Sequence, residues 1–259
     1  MQITMKDRVA VVTGGSKGIG IAMARRFAES GARVSILARG AADLKAAREA
    51  LARDGLQVHD YVCDVSKASD ISAACDQIVK DHGRIDILVN NAGTSRAMPF
   101  ETVTDEIWQE DIDLKLFAAI RFSRLVWPGM KQRQWGRIIN VLNIGAKAPP
   151  AASTPTSVSR AAGMALTKAM SLEGAAHNIL VNALLVGLIV SDQWVKRHAR
   201  TAPDTDFDAF TKDLAKSVPM GRMGSAEEFA NLACLLASDQ GSYITGTAIN
   251  VDGGRSPVV

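Results

Sequence analysis

The sequence contains little cysteine, the residue on which disulfide-stabilised proteins and many zinc proteins depend. It has 3 cysteines among 259 residues, and Cys63, Cys75 and Cys234 show neither a CxxC spacing nor a Cys/His ligand spacing. An odd number of widely separated cysteines argues against a disulfide framework and against a zinc site. We therefore expect no bound metal and a reducing, cytoplasmic location.

An excess of one charge and long hydrophobic runs are also missing. The 30 basic and 27 acidic residues give a formal charge of +3 and are spread along the chain, which argues against nucleic acid or an anionic membrane as a partner. No apolar run reaches the roughly 18 residues that a membrane helix needs. The first residues pass from polar positions directly into a strand, without an export signal. We predict a soluble, unexported protein whose partner is a small-molecule substrate.

Apolar runs of strand length alternate with helix-period segments along the whole chain. The runs "RVAVVTG", "RVSILAR", "IDILVNNAG" and "GRIINVLNI" are continuous in Val, Ile and Leu, which is typical of parallel strands buried on both faces. We predict one α/β domain over residues 1–259, with a Rossmann-type, doubly wound parallel sheet covered by helices on both faces. One long helix is predicted around "IWQEDIDLKLFAAIRFSRLVWPGM". The polar, uneven segment 188–224 is predicted to be a helical flap over the substrate.

A glycine pattern at residues 13–20, "TGGSKGIG", follows the first strand and opens a helix. Gly14 would allow a sharp turn, Gly18 would let the backbone approach a pyrophosphate, and Gly20 would let the helix pack on the strand. The helix N-terminus would then point at the phosphates. This context predicts a dinucleotide site, and a glycine-rich turn without a ligand is the alternative.

Together with "NNAG" after the fourth strand and "NVDGG" near the end, this pattern resembles the short-chain dehydrogenase/reductase family over essentially the whole chain. The resemblance implies a seven-stranded parallel sheet, a nicotinamide cofactor and a homotetramer, with a homodimer as the alternative. It assigns cofactor contacts to sixteen residues, Gly14, Ser16, Lys17, Gly18, Ile19, Gly20, Arg39, Asp64, Val65, Asn91, Ala92, Gly93, Arg160, Gly187, Ile189 and Ser191.

Charge at the end of the second strand distinguishes the two nicotinamide cofactors. An acidic side chain there would bind the 2′-hydroxyl of NAD and repel a 2′-phosphate. Ala38 stands at that position and Arg39 follows it, while Lys17 adds a second cation in the glycine loop. We therefore expect NADP rather than NAD. The alternative is that both cations are ordinary solvated surface groups.

The catalytic tetrad of the family, Asn, Ser, Tyr and Lys, is replaced at every position. Alignment places Lys115, Asn143, Thr156 and Arg160 at these positions, respectively. An aliphatic hydroxyl is a far weaker acid than a phenol, whose pKa is about 10, so Thr156 is a poor direct replacement for tyrosine. Arg160 could still position the cofactor. Lys115 could supply a proton, and Asn143 could donate an amide N–H to a substrate carbonyl.

Each of these assignments has an alternative. Lys115 could be a surface or ion-paired lysine, and Asn143 a loop-capping amide. Residues 194–200, "WVKRHAR", could receive an anionic substrate group or form a solvated helix face. The pattern resembles a divergent subgroup similar to 3-oxoacyl-acyl carrier protein reductases. Three functions stay open: an NADP(H)-dependent oxidoreductase acting on a carbonyl or alcohol with altered proton delivery, a nucleotide-binding scaffold or regulatory subunit without turnover, and a lyase on the same pocket.

Overall fold

Seven parallel strands form the central sheet of the computed structural model, which describes residues 3–259. They are β1 Val9–Thr13, β2 Arg33–Ala38, β3 Val58–Val62, β4 Ile87–Asn90, β6 Gly136–Asn143, β8 Ile179–Val186 and β9 Ala248–Val251. Their order in the sheet is β3-β2-β1-β4-β6-β8-β9. The predicted doubly wound parallel sheet is confirmed. Residues 1 and 2 of the predicted domain lie outside the described range.

Helices cover both faces of this sheet. They are α1 Gly18–Glu29, α2 Ala41–Arg53, α3 Ala68–His82, α4 Asp105–Ile112, α5 Ala118–Arg133, α6 Thr156–Gly174, α7 Asp192–Thr201, α8 Phe207–Ala215 and α9 Ala226–Ala237. One core packs α1, α2 and α9 against the sheet, and the other packs α3 and α5, with α6 beside them. Strand β1 supplies Ala10 and Val12 to the first core and Val9 and Val11 to the second. A strand buried on both faces must be apolar at every position, which explains its unbroken Val/Ala run.

The strand order reverses between β1 and β4, and this reversal positions the site. Strand β1 pairs with β2 on one side and with β4 on the other. The chain therefore leaves β1 and β4 in opposite directions, and a crevice opens beyond their carboxyl ends. The glycine loop that follows β1 and the segment that follows β4 border this crevice.

The prediction of a single long helix around Ile107 to Met130 is wrong in one respect. A π-helical turn, Asp113–Phe117, separates α4 from α5. Hydrophobic periodicity did not reveal it, because one wider turn is too short to be recognised in the window of about 11–18 residues over which the apolar period is judged. The sequence also gave no sign of two short antiparallel strands, β5 Ala97–Met98 and β7 Thr154–Pro155, since two-residue strands carry no measurable alternation.

The segment 188–224 contains α7 and α8 and is closed at its base by backbone pairing. Ile189 forms an isolated parallel bridge with Gly224, and the Gly224 N–H donates to the carbonyl of Leu188 at 2.9 Å. Beneath the helices, Leu188, Val218 and Met223 form a small buried cluster. The segment therefore forms a helical insertion outside the central sheet. Its role as a substrate flap stays a prediction.

Candidate functional site

The glycine loop brings backbone atoms closer together than side chains would allow. Gly14 has a φ of +64°, and a Cβ there would lie 3.0 Å from the Cα of Ala92. A Cβ on Gly20 would lie 2.1 Å from the carbonyl oxygen of Gly14. Helix α1 begins at Gly18 with no acidic residue in its first turn, and no described side chain caps it. Its first N–H groups are therefore available to an anion such as a pyrophosphate.

A cleft runs from this loop to the segment after β4 and to the start of α7. Its lining residues are Gly14, Lys17, Gly18, Ile19, Gly20, Asn91, Ala92, Gly93, Ser191, Asp192 and Gln193. All but the last two were predicted to contact the cofactor. The other predicted residues, Ser16, Arg39, Asp64, Val65, Arg160, Gly187 and Ile189, lie outside this lining. Asp192 and Gln193 gave no sequence signal, because they belong to the irregular segment 188–224.

Asn91 ties the two strand ends that border the cleft. Its Nδ2 donates to the carbonyl oxygen of Thr13 at 2.8 Å and to that of Gly14 at 3.2 Å. Its backbone N–H donates to Oγ1 of Thr13 at 2.9 Å. These bonds hold the glycine loop against the end of β4. The cleft thus has a rigid floor, which a dinucleotide site requires.

Both cations predicted to select NADP have acidic neighbours. The Nζ of Lys17 lies 2.9 Å from Oδ1 of Asp43 in the first turn of α2. Arg39 lies close enough to Asp64 for its charge to act on that carboxyl. Burial raises the pKa of Asp64, but hydrogen bonds from Ser66 and the positive charge of Arg39 outweigh it, and the pKa is lowered overall.

A buried cluster forms where the catalytic residues were predicted. The Nζ of Lys115 pairs with Oδ1 of Asp111 and donates to Oγ1 of Thr156 at 2.9 Å. The hydroxyl of Ser159 donates to Oδ2 of Asp111 at 2.7 Å. The side chains of Lys115 and Asp111 are each 1% exposed. We call Asp111, Lys115, Thr156 and Ser159 the lysine cluster. The sequence left open that Lys115 is a surface or ion-paired lysine. In the structure it is ion-paired and buried.

Thr156 lies at the centre of the hydrogen bonds in this region. Its Oγ1 accepts from the backbone N–H of Arg96 at 2.9 Å as well as from Lys115. A hydroxyl oxygen has two lone pairs and one hydrogen. With both lone pairs occupied, the Thr156 hydrogen is left to donate to a third group.

The surroundings of Lys115 weaken its hold on a proton. Burial lowers the pKa of Lys115 to about 8, and the positive charge of Arg160 lowers it as well, against the opposing effect of Asp111. A lysine in this range is mostly protonated at neutral pH and releases its proton far more easily than a solvated lysine. Its acidity is therefore suited to general acid catalysis.

The other two predicted catalytic residues are Arg160 in α6 and Asn143 at the end of β6. Arg160 donates from Nη1 to the carbonyl of Val141 at 2.8 Å, and a Cβ on Gly93 would lie 2.6 Å from Nη2 of Arg160. Burial lowers the pKa of Arg160 to about 10, with Asp111 opposing, so the guanidinium stays charged at neutral pH. Asn143 ends β6, and among the described residues its buried Oδ1 has no hydrogen-bond partner. That oxygen does not cap the loop.

The two tyrosines of the chain are engaged elsewhere. The hydroxyl of Tyr61 on β3 donates to Oδ2 of Asp81 on α3 at 2.9 Å. Tyr243 is fully exposed in the loop before β9. The lysine cluster therefore contains no phenol. Asp111, Ser159 and Arg96 were not predicted, although the four-residue spacing of Asp111 and Lys115 on a helix could have indicated their pairing.

Two cations of residues 194–200, Lys196 and Arg197, contact neighbours in the same segment. Lys196 pairs with Asp192 at 2.8 Å, and the guanidinium carbon of Arg197 lies 5.1 Å from the ring centre of Trp194. These contacts are typical of a solvated helix face, and an anion-binding role stays a prediction.

Within residues 3–259, no group of three or more His, Cys, Asp or Glu side chains could hold a metal ion. No helix in this range is long and apolar enough to cross a membrane.

Comparison with known proteins gives the class to which this fold and site belong. The family model described as Enoyl-(Acyl carrier protein) reductase matches residues 14–256. A protein of Streptomyces virginiae, assigned to the monensin polyketide synthase as a ketoacyl reductase, is 39% identical over 252 residues, covering 96% of this chain and 97% of that protein. The chain therefore belongs to the short-chain dehydrogenase/reductase family.

Two solved structures are close in both sequence and shape. The L-sorbose reductase of Gluconobacter frateurii, complexed with NADPH and L-sorbose, has a TM-score of 0.95 and 34% identity, with all of both chains covered. An NADPH-bound short chain oxidoreductase of Pseudomonas aeruginosa PAO1, described as containing an atypical catalytic center, has a TM-score of 0.91 and 36% identity. The match covers 99% of this chain and 100% of that one.

Proposed function

We propose that this protein is an NADP(H)-dependent oxidoreductase that interconverts a carbonyl and an alcohol, with Lys115 supplying the proton through Thr156. The hydrogen bond of 2.9 Å from Lys115 Nζ to Thr156 Oγ1 carries the proposal. The NADPH bound by the two similar structures supports the choice of cofactor. The atypical catalytic center described for the Pseudomonas protein is a precedent for a changed active site.

The cofactor has a suitable cradle in this chain. Phosphates would lie against the glycine loop and the start of α1, and Lys17 and Arg39 would attract the 2′-phosphate. Arg160, next to Gly93, would fork onto ribose hydroxyls. When bound, NADPH supplies a hydride to the carbonyl carbon.

The residues of the lysine cluster then have complementary roles. As the carbonyl oxygen gains negative charge, the Thr156 hydroxyl would donate its hydrogen to that oxygen and take a proton from Lys115 Nζ. Asp111 and Ser159 would hold the Lys115 ammonium in place during this transfer. Asn143 would bind the same oxygen through its amide N–H. The neutral Lys115 would regain a proton from solvent after each turnover.

The proposal is tested by two variants at Thr156 that differ in the hydroxyl. Thr156→Val keeps the shape and removes the relay, so we expect NADPH oxidation with a panel of ketones and 3-oxoacyl thioesters to fall about 10²- to 10⁴-fold. Thr156→Ser keeps the hydroxyl and should stay within about threefold of the wild type. NADPH affinity, measured by fluorescence titration, should not change in either variant.

Equal activity in Thr156→Val would contradict the relay. A wild type that binds NADPH but turns over none of the panel would favour the scaffold or regulatory subunit instead. Carbon–carbon cleavage without a change in NADPH absorbance would favour the lyase.

We further propose that the protein is a homotetramer located in the cytoplasm. Apolar side chains exposed around α5 and α6 support the first assembly contact, namely Phe117, Leu125, Val158 and Leu172. Tyr243, fully exposed near the edge strand β9, supports a second one. The three buried free cysteines agree with a reducing compartment. Light scattering at micromolar concentration should give four times the mass of the chain, and a monomer would contradict the assembly.

A further inference from the structure

The cation in the glycine loop is already paired with a carboxylate. Lys17 precedes α1, and its Nζ lies 2.9 Å from Oδ1 of Asp43 in the first turn of α2. The two side chains are 44% and 50% exposed. The other oxygen of Asp43 would lie 3.4 Å from a Cβ on Gly40. The carboxylate therefore reaches back over the N-terminal end of α2.

This position matters because it adjoins the place where the two nicotinamide cofactors differ. In this class of fold, the residues that end the second strand contact the adenosine 2′ substituent. Here that end is Ala38, followed by Arg39 and Gly40. A 2′-phosphate would be attracted by Lys17 and Arg39, and it would be repelled by the carboxylate of Asp43.

We propose that Asp43 is a specificity-determining residue, which competes with the 2′-phosphate for Lys17 and so limits the preference for NADPH over NADH. NADH has no phosphate at this position, so Asp43 has little influence on its binding. The inference rests on the proposed function, because it assumes that the cleft binds a nicotinamide dinucleotide.

A second carboxylate near Lys17, that of Asp192, does not replace Asp43 as the direct partner of Lys17. Asp192 in the first turn of α7 also acts on the charge of Lys17. Its carboxylate, however, lies 2.8 Å from Nζ of Lys196, which neutralises much of its charge. Asp43 is the carboxylate in direct contact with Lys17.

The test is a pair of binding titrations on the full chain with Asp43→Asn, a change that removes the charge and keeps the shape. We expect the Kd for NADPH to fall about two- to fivefold, the range typical of an exposed charge pair. The Kd for NADH should change by less than about 1.5-fold. The gain should shrink in high salt, because exposed charges are screened.

Two further variants separate competition for Lys17 from a general change of charge. Glu49→Gln removes the same charge from the same helix, where Glu49 lies 3.9 Å from Lys45. It should leave both Kd values unchanged. Lys17→Met should weaken NADPH binding, and in that background Asp43→Asn should lose most of its effect, because the competed cation is gone.

The outcomes distinguish the inference about Asp43 from the proposed function. Weaker NADPH binding in Asp43→Asn, an equal change for NADPH and NADH, or an equal gain in Glu49→Gln would overturn the inference and leave the proposed function intact. A wild type that binds neither dinucleotide would overturn the proposed function and this inference with it.

Discussion

Replacing Lys115 with methionine is expected to lower kcat for carbonyl reduction by about 10²- to 10⁴-fold, the range measured for loss of a general acid. NADPH affinity should change little, since Lys115 is not among the residues that line the dinucleotide cleft. Steady-state assays of NADPH oxidation and fluorescence titrations of cofactor binding provide the two measurements. A kcat within threefold of wild type would exclude Lys115 as the proton source and favour water.

The pH profile distinguishes proton donation from a positioning role of Lys115. Reduction needs the protonated amine, so wild-type kcat/KM should be level at low pH and fall as the pH rises through about 8, the pKa of Lys115 in the free protein. Alcohol oxidation needs the neutral amine and should rise over the same range. Lys115→Arg keeps the positive charge but cannot release a proton near neutral pH. It should lose activity, whereas a purely electrostatic role would be rescued.

Replacing Asp111 with alanine should lower the free energy of unfolding by about 3–5 kcal/mol. The change leaves the Lys115 ammonium buried without its carboxylate and removes one of the two acceptors of the Ser159 hydroxyl. Burial already lowers the pKa of Lys115 below its value in the unfolded chain, and the loss of Asp111 lowers it further. Stability should therefore recover as the pH rises from about 7 to 10. Urea unfolding at several pH values gives the measurement.

Two controls test whether burial causes this loss. Asp192→Ala breaks an exposed pair of the same four-residue spacing and should cost no more than about 0.5 kcal/mol. The double variant Asp111→Leu with Lys115→Met removes both charges and should return to within about 1 kcal/mol of wild type, or exceed it. It should nevertheless be inactive, which separates catalysis from folding. A loss below about 1 kcal/mol in Asp111→Ala would contradict the buried pair.

The sheet and the dinucleotide cleft could be predicted because their causes are local in sequence. Strand β1 is buried on both faces, so an unbroken apolar run is the only pattern that it can have. Gly14 and Gly20 are required where backbone segments approach closely, and Gly18 adopts a positive φ of +55°, so the three glycines have a fixed spacing. These constraints act over a few residues and can be identified without a structure.

The chemistry of the site could be predicted only in part, because it depends on tertiary neighbours. The sequence singled out Lys115 and Thr156 as replacements, but not the hydrogen bond between them, which joins residues 41 positions apart. Ser159 is one of many serines, and nothing in its local context indicates a bond to Asp111. The pairing of Lys17 with Asp43 could not be predicted either, since it joins the glycine loop to the first turn of α2.

The π-helical turn at Asp113–Phe117 makes the proposed relay from Lys115 to Thr156 depend on the number of residues in the turn. An α-helix advances by about 100° per residue, and a π turn contains roughly one residue more than an α turn. Deleting a single residue between Asp111 and Lys115 would therefore rotate the lysine about a quarter of a turn around the helix axis and away from Thr156. Insertions and deletions in this turn would therefore break the proposed relay without exchanging any side chain of the lysine cluster.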